Sequence, residues 1–77
     1  MDMTHDDIDA ATGMIRAYVA AYPHSADTLE GVAQWWLEGR FPPLLIAAAL
    51  ERLLASGELE RLNLGQHQLW RRAVRVA

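Results

Sequence analysis

The chain contains no cysteine. That absence removes disulfide staples, thiol catalysis and cysteine-ligated zinc together, and it is compatible with a reducing cytoplasm. Lysine is missing too, so every basic residue is arginine. There is no excess of positive charge: ten acidic residues against seven basic give a formal net charge of -3. A DNA-binding domain usually carries a basic footprint that displaces counterions from phosphates, so this balance disfavours non-specific nucleic-acid binding. No run approaches the ~18 apolar residues that a membrane span needs. The opening MDMTHDDID is acidic, whereas a secretory signal begins with positive charge and then an apolar stretch. The expectation is a cytoplasmic protein with no membrane partner.

The residue patterns that support chemistry are also lacking. His5, His24 and His67 stand far apart, with no histidine pair at i, i+4, so no metal site is expected. Gly31 and Gly39 stand alone and make no phosphate loop. Ser25 and Ser56 fall at helix boundaries rather than in a nucleophile context. Asp6, Asp7 and Asp9 suit the first turn of a helix, where carboxylates meet the positive end of its dipole, better than they suit a divalent ion. With one small core and no second layer to form a pocket, the expectation is no enzyme, no catalytic residue and no cofactor.

What is present is a helical pattern. Seventy-seven residues, 52% hydrophobic and 22% charged, make one folded domain, 1–77, with residues 1–4 read as a loose terminus. From His5 to Tyr22, the residues Ile8, Ala11, Ile15, Tyr18, Val19 and Tyr22 recur at helical spacing. Pro23 closes that element. Asp27, with Glu30 three positions on, reads as the N-cap of a second helix. Leu29, Val32, Ala33, Trp36 and Leu37 form its inner face, and Gly39 ends it. A third helix runs from about Pro43 to Ser56, with Gly57 as its stop.

That third segment, PPLLIAAALERLLAS, is apolar nearly all the way round. At ~100° per residue, Ile46, Ala49, Leu50, Leu53 and Leu54 gather on a core face. Leu44, Leu45, Ala48, Glu51, Arg52 and Ala55 are left for the opposite side. A helix greasy on both sides wants burial twice, and so short a chain offers little to cover the second side.

Beyond Gly57 the period changes. Leu59 to Leu64 partly alternates, Gly65 to Gln68 is a turn, and Gln68 to Val76 is a second extended run, together a β-hairpin. The competing reading is a final helix from Gln66 to Val76, since Arg and Leu are good helix formers.

The fragment Ala49-Leu50-Glu51-Arg52-Leu53-Leu54-Ala55-Ser56-Gly57-Glu58-Leu59 resembles the junction between recognition helix and wing in winged helix-turn-helix domains. Trp70 sits where that family commonly has an aromatic residue on the return strand, and the likeness spans roughly Ile8 to Val74. The resemblance implies an α+β, mainly helical fold, three helices followed by a two-stranded hairpin wing. It also implies a third helix in the DNA major groove and a wing on phosphates. The chain departs from the family at the reading surface, because the third helix opens on two prolines and two leucines. Base edges are normally read by Arg, Lys, Asn, Gln or Ser. Only Arg52 could donate to a base, and Glu51 beside it has the wrong sign for phosphate.

Two surfaces stand out as candidates for partner binding. Trp35 and Trp36 are consecutive, so if Trp36 packs inward, Trp35 points ~100° away. Trp35, Leu44, Leu45, Ala48 and Arg52 would then form a docking face for a protein partner or a second copy. The alternative is that the wing or the N-terminal segment folds over the leucines, and that Trp35 lies against the hairpin or first helix. Arg71, Arg72 and Arg75 make the only basic cluster, suited to phosphate or an acidic partner. On a strand, however, Arg71 and Arg75 share one side while Arg72 takes the other, so a solvated face competes with that reading. Two functions follow: a non-enzymatic interaction module, or a DNA-binding transcriptional regulator using the third helix and the wing arginines.

Overall fold

The computed structural model describes residues 5–73, and the reading of residues 1–4 as a loose terminus lies outside them. Helix α1 (His5–Ala21) opens with Asp6 and Asp7 in its first turn, on the favourable side of the dipole. Its inner stripe buries Ala11, Thr12 and Ile15, with Ile8, Tyr18 and Val19 half-buried beside them. Thr12 is the one buried polar side chain among the described residues, and its hydroxyl donates back to the Ile8 carbonyl at 2.7 Å. Tyr22, expected at the end of the stripe, is instead 58% exposed. It lies one residue past the helix, where Pro23 already turns the chain.

A short strand, β1 (Ala26–Asp27), takes the place expected for the second helix's cap. The cap is Thr28, whose extended backbone lets its hydroxyl accept from the Gly31 N–H at 3.2 Å. Asp27 accepts from the Thr28 N–H at 2.9 Å, and pairing with β3 holds its backbone extended. The second helix, α2, is a single α turn (Leu29–Gly31) running straight into a π-helical stretch, Val32–Trp36. Val32, Trp36 and Leu37 are buried and Leu29 and Ala33 half-buried, which is the inner face the spacing predicts.

Helix α3 (Pro43–Ala55) starts after an extended Pro42. At its far end the Glu58 N–H donates to the Leu53 carbonyl and the Gly57 N–H to that of Leu54, a Schellman stop. Gly57 makes that stop with φ +81°, a conformation that suits residues without a Cβ. Leu45, Ile46, Ala49, Leu50 and Leu53 are buried. Leu45 therefore does not belong to the outer side. It stands one and two turns before Ala49 and Leu53, at i, i+4 and i+8, and shares their face.

Strands β2 (Leu59–Leu64) and β3 (His67–Arg72) form an antiparallel hairpin with Leu62 opposite Leu69 and Leu64 opposite His67. The loop is thus two residues, and positive φ at Gly65 alone is the type II′ pattern that suits twisted strands. Residues 67–72 are strand and not the competing helix; Val74 and Val76 lie outside the described residues. β1 adds to the free side of β3, pairing Ala26 with Arg71 and Asp27 with Trp70, so the sheet has three strands in the order β1-β3-β2. The fold is α+β and mainly helical, as expected, with this third short strand added to the hairpin. Leu59 and Trp70 are its buried contributions to the core, which the helices otherwise supply.

Candidate functional site

Structural irregularity concentrates between α2 and α3. In the π stretch the Leu37 N–H reaches back five residues to the Val32 carbonyl at 3.0 Å, and the Gly39 N–H reaches Ala33 at 2.8 Å. Such wide turns are rare and recur at functional sites. Glu38 follows with φ +56°, which among the described residues no other non-glycine shares, and Gly39 has φ +70°. The Arg40 N–H closes the turn on the Leu37 carbonyl at 3.0 Å, before the proline pair starts α3.

Two large apolar side chains flank this turn in the open. Trp35 is 65% exposed while Trp36 beside it is buried. Leu44, in the first turn of α3, is 76% exposed. Both are where the sequence places them. Ala48 and Arg52 are half-buried, and Leu45 is core. The exposed apolar surface is therefore narrower than the five-residue docking face expected from the sequence. Within the turn, Glu38 and Arg40 pair at 3.1 Å on the surface, offsetting each other's charge.

The arginines are the more decisive finding. Arg52, the one candidate for base reading, is hydrogen-bonded to Asp9 of α1. Arg71 is held by Glu60 across the hairpin. Arg61 donates to Glu51 at 3.0 Å and lies 5.4 Å over the Trp70 ring. Arg16 grips Glu58 with two hydrogen bonds, 2.6 and 3.0 Å, and that bond and charge raise its pKa. Among the described residues only Arg72 has no carboxylate partner, and Arg75 lies outside them. A guanidinium already facing a carboxylate has its charge offset locally and little left to offer phosphate.

Two open clefts stand out among the described residues. One, of about 790 Å³, lies between the second half of α1, the α3–β2 corner and the end of β3; Arg16, His24, Glu58 and Arg72 supply its polar groups. A smaller one, of about 380 Å³, lies where α2, α3 and the hairpin tip meet, and Glu30, Glu51 and His67 are among its lining. In each, an arginine–carboxylate pair already engages an acid and a cation that could otherwise work on a ligand. No three potential metal ligands converge among the described residues. Nor is any of their helices long and apolar enough to cross a membrane.

Sequence reasoning placed Tyr22 in the α1 stripe and Leu64 in the first strand but missed that both are exposed. Leu64 is 56% exposed at the hairpin tip, and Tyr22 rests on Tyr18 with ring centroids 4.9 Å apart. The alternation within β2 carried a signal for Leu64, since Leu62 and Leu64 have the opposite parity to Leu59.

Comparison with protein-family models, with curated proteins and with solved structures returns no match for this chain.

Proposed function

We propose that this chain is a small, non-enzymatic, cytoplasmic interaction module of winged-helix type, docking a protein partner through the apolar surface at the α2–α3 turn. The observation that carries the reading is a contrast. Arg52 and Arg71, two of the arginines that would face nucleic acid, are held by carboxylates, while Trp35 and Leu44 stand open. Exposed tryptophan is a frequent energetic anchor of protein interfaces, and Leu44, exposed on the far flank of the same turn, offers further apolar area. The order of three helices and a hairpin supports the winged-helix layout that the Ser56-Gly57-Glu58-Leu59 junction resembles.

The test is affinity capture from native lysate with the wild type, Trp35→Ala and Leu44→Asp. A discrete protein retained by the wild type and lost from both variants, with their thermal melts unchanged, is the expected outcome. The rival function, a DNA-binding regulator using Arg52, Arg71, Arg72 and Arg75, is probed by mobility shift on genomic fragments at low salt. Tight retention that falls steeply with salt would overturn the interaction reading.

A further inference from the structure

An antiparallel sheet with helices on one side normally alternates apolar inward and polar outward. This hairpin does not. Leu59 and Trp70 point to the helices and join the core. Residues directly opposite on antiparallel strands share a face, so Glu60 with Arg71, Leu62 with Leu69, and Leu64 with His67 make up the other side. Leu62 and Leu69 are half-buried and Leu64 is exposed. None of the three belongs to the core cluster or to the partly buried side chains packed against it. Ala26 of β1, opposite Arg71, continues the same face with a small residue.

We propose that this outer face is a self-association surface, on which two copies of the chain pack leucine against leucine about a two-fold axis. The self-paired charges at the flank suit a second copy, because as a unit they are neutral and complement their own image. A two-fold contact requires a surface that complements itself. Here an apolar centre has one carboxylate and one guanidinium at its flank, Glu60 and Arg71, already within hydrogen-bond distance of each other. Rotation by a half turn about an axis running along the strands sets leucines on leucines and carries each acid towards the other copy's arginine. A nucleic acid or a peptide of one charge sign gains little from a pair that is already neutral. Face-to-face sheets pack ~10 Å apart with interdigitated side chains, a spacing that leucines fill.

The size of the face sets the strength. Three strands of at most six residues cover on the order of 14 by 20 Å, well below the ~800 Å² per partner of a stable complex. The dimer is therefore weak, with a dissociation constant above about 10 μM. This surface is separate from the Trp35–Leu44 turn, so either can fail without the other.

Sedimentation equilibrium from about 5 μM to about 1 mM tests the proposal on the wild type and a Leu62→Thr/Leu69→Thr variant, which keeps strand-forming residues. The expected result is a concentration-dependent dimer in the wild type that the variant weakens by about ten-fold or more, with an unchanged circular-dichroism spectrum. Dilution of the wild type followed by methyl NMR reads the same surface without mutation, and shifts confined to Leu62, Leu64 and Leu69 are expected. A wild type monomeric throughout, or shifts lying elsewhere, would overturn the proposal. So would a dimer that survives the threonine variant but is lost with Leu44→Asp.

Discussion

The Tyr18 ring stacks on that of Trp36, with centroids 4.8 Å apart and planes inclined by only 12°. The contact ties the second half of α1 to the last residue of the π stretch, and Tyr22 tilts against the same tyrosine. It fixes which tryptophan turns inward. With Trp36 held by this stack, its neighbour Trp35 is directed to solvent.

Removing the stack should loosen the whole α1–α2 junction. Tyr18→Ala is expected to cost about 2–3 kcal/mol, combining lost area from a half-buried ring with the lost aromatic pairing, while Tyr18→Phe stays within about 1 kcal/mol. Urea unfolding monitored by tryptophan fluorescence measures both. Equal losses for the two variants would show that the hydroxyl, not the ring, matters.

Leu44 and Leu45 are adjacent yet belong to different environments, 76% and 3% exposed. Leu45→Ala should destabilise the fold by about 2–5 kcal/mol through the cavity it leaves, whereas Leu44→Ala should stay within about 0.5 kcal/mol. Thermal or urea denaturation of the two variants side by side decides it. Comparable losses would mean that Leu44 is also part of the core.

Gly31 is needed for room. A Cβ at this position would lie 1.8–2.4 Å from the carboxylate atoms of Asp27. Gly31→Ala should therefore force Asp27 off the Thr28 N–H and cost about 1–3 kcal/mol, although alanine is the better helix former. Asp27→Ala should relieve much of that loss, giving a favourable coupling in a double-mutant cycle. An additive cycle would place the strain elsewhere.

The ion pairs lie at the surface, where solvent screening leaves them little weight in the fold. Arg52→Ala should change stability by less than about 1 kcal/mol. Asp9→Ala, which frees Arg52, should raise whatever affinity the protein has for DNA in a low-salt titration. No change in that affinity would mean that the paired carboxylate is not what silences Arg52.

Much of the architecture was legible in the residues because the relevant signals are local. The stripe through Ala11 and Ile15, the proline start and glycine stop of α3, and the Gly65 turn all report on neighbours within a few positions. The two-residue strand β1 has no such signal: Ala26 and Asp27 become a strand only because Arg71 and Trp70 arrive beside them. That pairing accompanies a helix cap at Thr28 rather than Asp27, although Asp is the somewhat better capping residue. The placement of Leu45 was available from its i+4 relation to Ala49. The Arg52–Asp9 pair was not, because no local pattern joins positions so far apart in sequence.

For the candidate site, exposure of Trp35 and Leu44 followed from helical geometry, since each sits beside a residue that packs inward. The π widening that carries Trp35 did not, because a wide turn reflects how Val32 and Leu37 pack rather than any residue preference. The leucines of the outer sheet face were foreshadowed by a strand run that alternates only in part, but assigning them to one side required the register of β2 against β3.

The pairing of β1 with β3 also governs the order in which the molecule is completed during synthesis. Ala26 leaves the ribosome long before Arg71, so α1 and α3 can meet early while the third strand waits for its place. Until the return strand is in place, Ala26 and Asp27, which lead into the tryptophan segment, have no strand to pair with.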